Sequence, residues 1–452
     1  MQRRTNFRLN ASRALVVIAM SPTNGCGGGL DNGRSDAMSV DAGHTADAVD
    51  AGADASTDAT TADTDATSSD ADGSDGAQPD SDDSSSGADA PPIDADAAEA
   101  GPVCPMGQLL CNGVCIPNDA TNCGACGHSC QGTTCSGGLC QAVTLLDNRA
   151  SPANLAIDAV NLYWGESSNN GTIFACAKSG CSAGSVTGLA AGYGSGPLTV
   201  SNSLVFWIEQ TRASIYVCAA AGCNNAPSQF VNNGAGSQED IASDDASVFW
   251  QPAAIMSCPP SSSPCASMHL VASIVPRPVA PMAVSSTTVI WHSPGYQSAS
   301  GAWVGSSVVD CSKSGNCRST VPPRKLIDHS ADGTNALISH IVVGSALVVA
   351  QHANPAAPPV PGPKYSVEVC PLDGCTGVPP KLWSGNDEIT ALAADSAGSY
   401  WAAGGTIYAC PNNQCTSGAV VLASAQGTVS ALVTDGTTAY FTTADSLRKV
   451  AK

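Results

Sequence analysis

The sequence lacks the signatures that mark most hydrolases, kinases and dehydrogenases. There is no Gly-x-Ser-x-Gly elbow, no phosphate-cradling loop, no His-Glu-x-x-His helix and no dinucleotide fingerprint. Only an active site of dispersed residues survives that exclusion. Positive charge is scarce too: 18 Lys and Arg stand against 38 Asp and Glu, giving a net charge of −20 and a pI near 4.4. Such a chain is repelled by polyphosphate, which argues against a nucleic-acid partner. The apolar run at residues 14–20 spans seven positions, where a membrane-crossing helix needs about 20. Helical and strand patterns do not alternate, so a parallel α/β sheet is not expected.

Charge and cysteine are concentrated in blocks. Residues 31–100 hold 18 Asp, Glu99 and the single basic Arg34, in a background of Ala, Ser, Thr and Gly. A segment of that composition cannot bury a core and reads as a disordered acidic tether over residues 26–103. The 21 cysteines divide into Cys26 alone, eight between Cys104 and Cys140, and twelve in six local pairs. Regularly paired cysteine implies an oxidising compartment, and hence export to the cell envelope. The small block over 104–140 needs staples, and four disulfides are expected there, with connectivity left open; zinc or a redox dithiol at Cys123 and Cys126 is the alternative.

From residue 141 onward one unit recurs. Its first copy contains Leu155-Ala156-Ile157-Asp158 and ends Leu162-Tyr163-Trp164. The closing positions are Trp164, Trp207, Trp250, Trp291, Ala350, Trp401 and Phe441, spaced by 43, 43, 41, 59, 51 and 40. Six residues before each stand Asp158, Ser201, Asp244, Ser285, Gly344, Asp395 and Asp435, types that favour a tight turn between two strands. A third apolar run ending in Cys, a short loop with a second Cys, and a fourth run follow. The unit is four antiparallel strands, and repetition at this period predicts an all-β fold, a seven-bladed β-propeller over 141–452, with six or eight blades as alternatives. The last copy has room for three strands. The text at 142–146 matches the fourth-strand text at 419–423, so residues 142–146 are expected to supply the missing outer strand.

The pairs Cys176/Cys181, Cys218/Cys223, Cys258/Cys265, Cys311/Cys317, Cys370/Cys375 and Cys410/Cys415 straddle the turn between third and fourth strands, within bridging distance for a hairpin. Protection of the blade rim is the expected role.

Three resemblances add to this reading. Arg3, Arg4, Arg8 and Arg13, the run 14–20 and Thr23-Asn24-Gly25-Cys26 resemble the lipobox signal of bacterial lipoproteins, which implies a signal peptide over 1–25, palmitate on Cys26 and a membrane partner through the lipid anchor only, at the outer membrane or cell surface. The text Cys111-Asn112-Gly113-Val114-Cys115, followed by Asn122-Cys123-Gly124-Ala125-Cys126-Gly127, is similar to the cysteine-rich module of the stigma-specific protein family, whose relatives occur in myxobacterial surface proteins. The segments 155–164 and 198–207 resemble blades of the YWTD and NHL propeller groups, without the Thr-Asp that follows Tyr-Trp in the former.

In a four-stranded blade the second-to-third turns and the blade-to-blade connections share one face. The lengthened spacings place long second-to-third connections at 292–308 and 351–365 on that face. They carry His292, Tyr296, Trp303 and His352, with Glu239, Asp240, Asp387 and Glu388 where neighbouring inner strands begin. These eight residues form the candidate binding face for an envelope or extracellular protein or glycan. No cofactor or metal is called for; a Ca²⁺ ion on carboxylate patterns such as 70–76 is the low alternative, since they lack a closing bidentate Glu. The functional expectation is a non-catalytic binding module, with an extracytoplasmic lyase or hydrolase and a structural envelope protein as the other classes.

Overall fold

In the computed structural model the described residues are 103–452, apart from short stretches at 168–170, 195, 210–212, 233–239, 253, 261–263, 274–278, 294–295, 298–302, 305, 316, 319, 330–336, 354–361 and 416–417. The signal, Cys26, the acidic segment through residue 102 and Glu239 lie outside them. No helix among the described residues is long and apolar enough to cross a membrane.

Seven blade sheets follow one another, six of four antiparallel strands and the third extended by a short parallel fifth strand, Cys317–Arg318. The first blade runs Pro152–Ile157, Asn161–Glu166, Thr172–Ala177 and Thr187–Ala190 from the inner strand outward. The fourth is Val279–Val284, Thr288–Ser293, Ser307–Ser312 and Arg324–Asp328. The fifth is Leu337–Val343, Leu347–His352, Tyr365–Cys370 and Lys381–Gly385. The sixth ends on Val420–Ala423, and the seventh is Ala431–Thr434, Thr438–Thr442 and Leu447–Ala451, with Val143–Leu146 as its outer strand. That strand pairs antiparallel with Leu447–Ala451 through Leu146↔Leu447, Thr144↔Arg448 and Val143↔Lys449. The last blade thereby gains its fourth strand, and the fold is a seven-bladed propeller closed by a strand from the opposite end of the repeat region.

The hairpin residues read from the sequence cap their turns. Asp158 Oδ1 accepts from the amides of Val160 (2.7 Å) and Asn161 (2.6 Å), Asp244 Oδ1 from Ala246 and Ser247, and Asp435 Oδ1 from Thr437 and Thr438. A side-chain carboxylate replaces a turn carbonyl here, which is why Asp and Ser recur at that position. Asp395 Oδ1 likewise accepts from the Ala397 amide, and three of these four carboxylates meet a lysine from the next blade: Lys178 reaches Asp435 at 3.1 Å, Lys313 reaches Asp244, and Lys452 reaches Asp395. Asp158 receives the Tyr163 hydroxyl instead, at 2.7 Å.

Ten disulfides are formed. The six repeat pairs bridge within their own hairpins, with Cα separations from 5.2 to 6.2 Å. The N-terminal block is linked Cys104–Cys115, Cys111–Cys126, Cys123–Cys135 and Cys130–Cys140 around two short hairpins. Cys123, Cys130 and Cys140 are close enough to suggest a metal site, but all three are bonded in bridges, which removes the thiolates a metal would need.

Candidate functional site

Strand alternation turns every second side chain of a blade toward the preceding blade and the others toward the next. Trp164, Trp207, Trp250, Trp291, Trp401 and Phe441 all face the preceding blade, are fully buried, and fill the seam there. The seam between blades four and five differs. Ala350, expected to close the fifth copy, faces the sixth blade; Val349 occupies the aromatic's place toward the fourth. The cause is a shortened hairpin. Val343 pairs with Leu347, leaving three residues in the turn, whereas Ile157 pairs with Leu162 and leaves four. A missing turn residue shifts the following strand by one position, which inverts the face of every side chain counted from the turn.

Polar groups line the same seam. In Tyr365–Cys370, Val367 faces the sixth blade, so Ser366 and Glu368 face the fourth, beside Gln351. Gln351 Nε2 donates to Ser366 Oγ at 3.1 Å and to the Glu368 carboxylate. Opposite, at the end of the fourth blade's outer strand, His329 brings Nε2 to 3.7 Å from Glu368 Oε2; both side chains are about 1–2% exposed. The His329 amide donates to the Ser306 carbonyl at 3.0 Å, and the Ser306 hydroxyl lies 2.9 Å from His292 Nε2. His292, Ser306, His329, Gln351, Ser366 and Glu368 thus form one connected, buried network spanning two blades. At the other end of the seam the buried Asp310 accepts two bonds from Arg324, at 2.7 and 3.1 Å, and Arg324 Nη1 reaches the Asp373 carbonyl at 3.2 Å.

A carboxylate moved out of water costs several kcal/mol unless paired, and an aliphatic pair of the same volume is often at least as stable. A seam holding a buried imidazole, a buried carboxylate and no aromatic is therefore not the most stable seam this fold can build. It is a candidate for a role other than stability. The His329–Glu368 pair sets a buried imidazole against a buried carboxylate at ion-pair distance. Solvent does not reach it.

The expected face residues separate into three groups. His292 and Asp240 are buried, at 5% and 3% exposure, and do not meet solvent as expected. His292 belongs to the network, and Asp240 accepts from the amides of Ile241 and Met282, both at 2.9 Å, which ties the third blade to the fourth. Tyr296 and Trp303 lie in a small antiparallel pair, Tyr296–Gln297 with Trp303–Val304, inside the fourth blade's second-to-third connection; their side chains are outside the described set. His352, Asp387 and Glu388 remain accessible. His352 pairs across the strand with Tyr365, ring centroids 6.2 Å apart, and its Nδ1 lies 3.2 Å from the Ala353 carbonyl. Burial and then the Glu388 charge raise the Tyr365 hydroxyl above its ordinary pKa. His352, Tyr365 and Glu388 therefore share one neighbourhood at the mouth of the fifth blade. Tyr365, His329 and Glu368 were missed from the sequence. An acid alternating with core positions in Tyr365-Ser366-Val367-Glu368-Val369-Cys370 was the available signal for Glu368; His329 carried none.

No protein-family model and no curated protein matches the chain. Solved structures do. A catalytically inactive virginiamycin B lyase from Staphylococcus aureus with quinupristin is similar at a TM-score of 0.50 and 12% identity, over 69% of this chain and 98% of that one. YCF48 bound to D1 peptide aligns at 0.45 and 9%, over 69% and 94%. BamB from Moraxella catarrhalis aligns at 0.35 and 14%, over 66% and 81%. At these identities the likeness is one of fold, and the class it defines is the β-propeller.

Proposed function

We propose that the protein is an exported, lipid-anchored binding module of the cell envelope. In this reading Cys26 is the lipidated mature N-terminus, the acidic segment to residue 103 is a tether, and the propeller captures an envelope or extracellular protein or glycan without catalysis. The carrying observation is the seam between blades four and five. The two longest second-to-third connections, 294–306 and 353–364, leave from the two blades whose shared seam lacks an aromatic and holds the His292–Glu368 network. Such connections on a disulfide-stapled scaffold favour recognition, since the scaffold fixes their ends.

The test is a comparison of the full chain with a variant whose 294–306 and 353–364 connections are replaced by short Gly-containing turns. Envelope extracts and a glycan array are passed over both. Capture of a defined partner by the first and a loss of at least about tenfold in affinity by the second supports the reading. Equal capture by both removes the loop face, and capture by neither favours a structural envelope role. The second reading, a lyase or hydrolase with a dispersed active site, requires turnover of a substrate by the purified full chain.

A further inference from the structure

The six repeat disulfides lie within hairpins, but their second cysteines work on the neighbouring blade. The Cys265 amide donates to the carbonyl of Phe230 and that of Cys375 to Leu326, both at 2.9 Å, and each acceptor lies in the outer strand of the preceding blade. Cys317 and Arg318 add in parallel to the third blade's outer strand, opposite Ala272 and Ser273. Cys223 Sγ lies 3.3 Å from the Leu189 carbonyl oxygen. Cys181 and Cys415 lie in or against apolar clusters that also contain Leu146 and Leu382, from the outer strands of blades seven and five. Each bridge therefore places a loop across a seam, a role in addition to the expected protection of the blade rim.

That accounts for six seams. The seventh, between blades six and seven, has no repeat pair: the third strand of blade seven, Leu447–Ala451, carries no cysteine, and the outer strand paired with it, Val143–Leu146, comes from before the first blade. By register with Leu162↔Cys176, the pairing Ala439↔Val450 puts Val450 where the first cysteine would stand. Cys140 stands just before the outer strand, where the other blades have their second cysteine. It is 2% exposed, bonded to Cys130, and clustered with Cys123, Leu422 and Ala423. Leu139–Cys140 runs beside Val420–Ala423, the outer strand of the sixth blade.

We propose that the cysteine-rich module is the seventh interblade fastener: Cys140, held by Cys130, replaces the repeat bridge that Val450, standing in the first cysteine's place, cannot form. The module then closes the ring and is not an independent domain carried beside it. Its Cys104–Cys115 bridge, beside the exposed Val103, Met106 and Val114, belongs to the part that does not fasten.

The test uses the full chain. Cys130→Ser/Cys140→Ser is expected to melt about 5 °C or more below the wild type, and Cys104→Ser/Cys115→Ser within about 2 °C of it. Combining Cys130→Ser with Val450→Cys lets Cys140 bridge to position 450 as in the other blades, and is expected to restore most of the loss, with the new bridge seen by mass mapping. A Cys130/Cys140 variant that melts with the wild type, or a Cys104/Cys115 variant that loses as much, overturns the proposal. If the first variant does not fold, hydrogen exchange on the wild type after graded reduction decides. Each opened bridge takes two electrons and two protons from the added dithiol, which becomes its own cyclic disulfide. Once Cys130–Cys140 is open, amides of Leu447–Ala451 are expected to lose protection before those of Ser214–Ala219; equal or reversed order contradicts the fastener.

Discussion

The seam between blades four and five and the seam between blades three and four carry the same strands in the same order and are sealed by opposite means. In the second, Trp291 packs with Phe249, Ile255 and Val271, and Asp240 adds a side-chain tie to the Met282 amide. In the first, Val349 stands where the other copies place an aromatic, and His329, Glu368, Gln351 and Ser366 occupy the seam. One seam is built for stability, since an indole buries far more apolar surface than a valine. The other gives some of that up, at the place where the long connections emerge. The difference teaches where to look for function in a repeat protein: at the copy that breaks the repeat's own packing rule.

The largest effect should come from breaking an aromatic seam. Trp291→Ala leaves a cavity no neighbour fills and is expected to cost about 3–5 kcal/mol, against roughly 1 kcal/mol for Val349→Ala, both measured by denaturant unfolding. Glu368→Ala should cost a comparable 3 kcal/mol or so, because it strips the buried His329 of its counter-group. The double change His329→Leu/Glu368→Leu sharpens the contrast. It is expected to be neutral or stabilising while weakening partner capture, and a simultaneous gain in both would mean the network serves neither.

A repeat bridge is worth less. Cys218→Ser/Cys223→Ser should cost about 2 kcal/mol, since the loop it closes is short. The smallest effect is at the lysine clasps. Burial acts to raise the Asp435 carboxyl, but the Thr437 amide, Lys178 and the Thr438 amide together hold it below its ordinary value. A depressed carboxylate contributes stability above its unfolded pKa and loses it as pH falls through the folded one. Lys178→Met, with both partners partly exposed, should therefore cost no more than about 1 kcal/mol at pH 7, and the two proteins should converge in acid unfolding as pH falls below the ordinary carboxylate range near 4. A gap that persists there would show that the clasp acts through packing of the lysine stem.

Much of the fold could be read from residue types because propeller packing is local. Trp164, Trp207, Trp250, Trp291, Trp401 and Phe441 repeat because each blade solves the same packing problem, and Asp158, Asp244 and Asp435 repeat because each hairpin needs the same cap. The site was less legible for the same reason. Glu368 and His329 come from different blades and meet only through register, and the register of the fifth blade depends on one residue missing from the turn at 344–346. His292 and Asp240 were found by position on the face, but their burial depends on which side of the strand they occupy, and that is set by pairing. The cysteine spacing of the N-terminal block is equally silent about Cys130–Cys140, because its partner surface is the outer strand of a blade nearly three hundred residues later.

The central claim, that blades four and five form the recognition face, is tested most directly by exchanging connections in parallel. One variant replaces 294–306 and 353–364; a control replaces the second-to-third connections of blades one and two, 167–171 and 210–213, with turns of matching design. Both are checked for wild-type melting and then titrated with the captured partner. The expected result is loss of binding in the first and wild-type affinity in the control. Equal affinity in both, or loss only in the control, would contradict it.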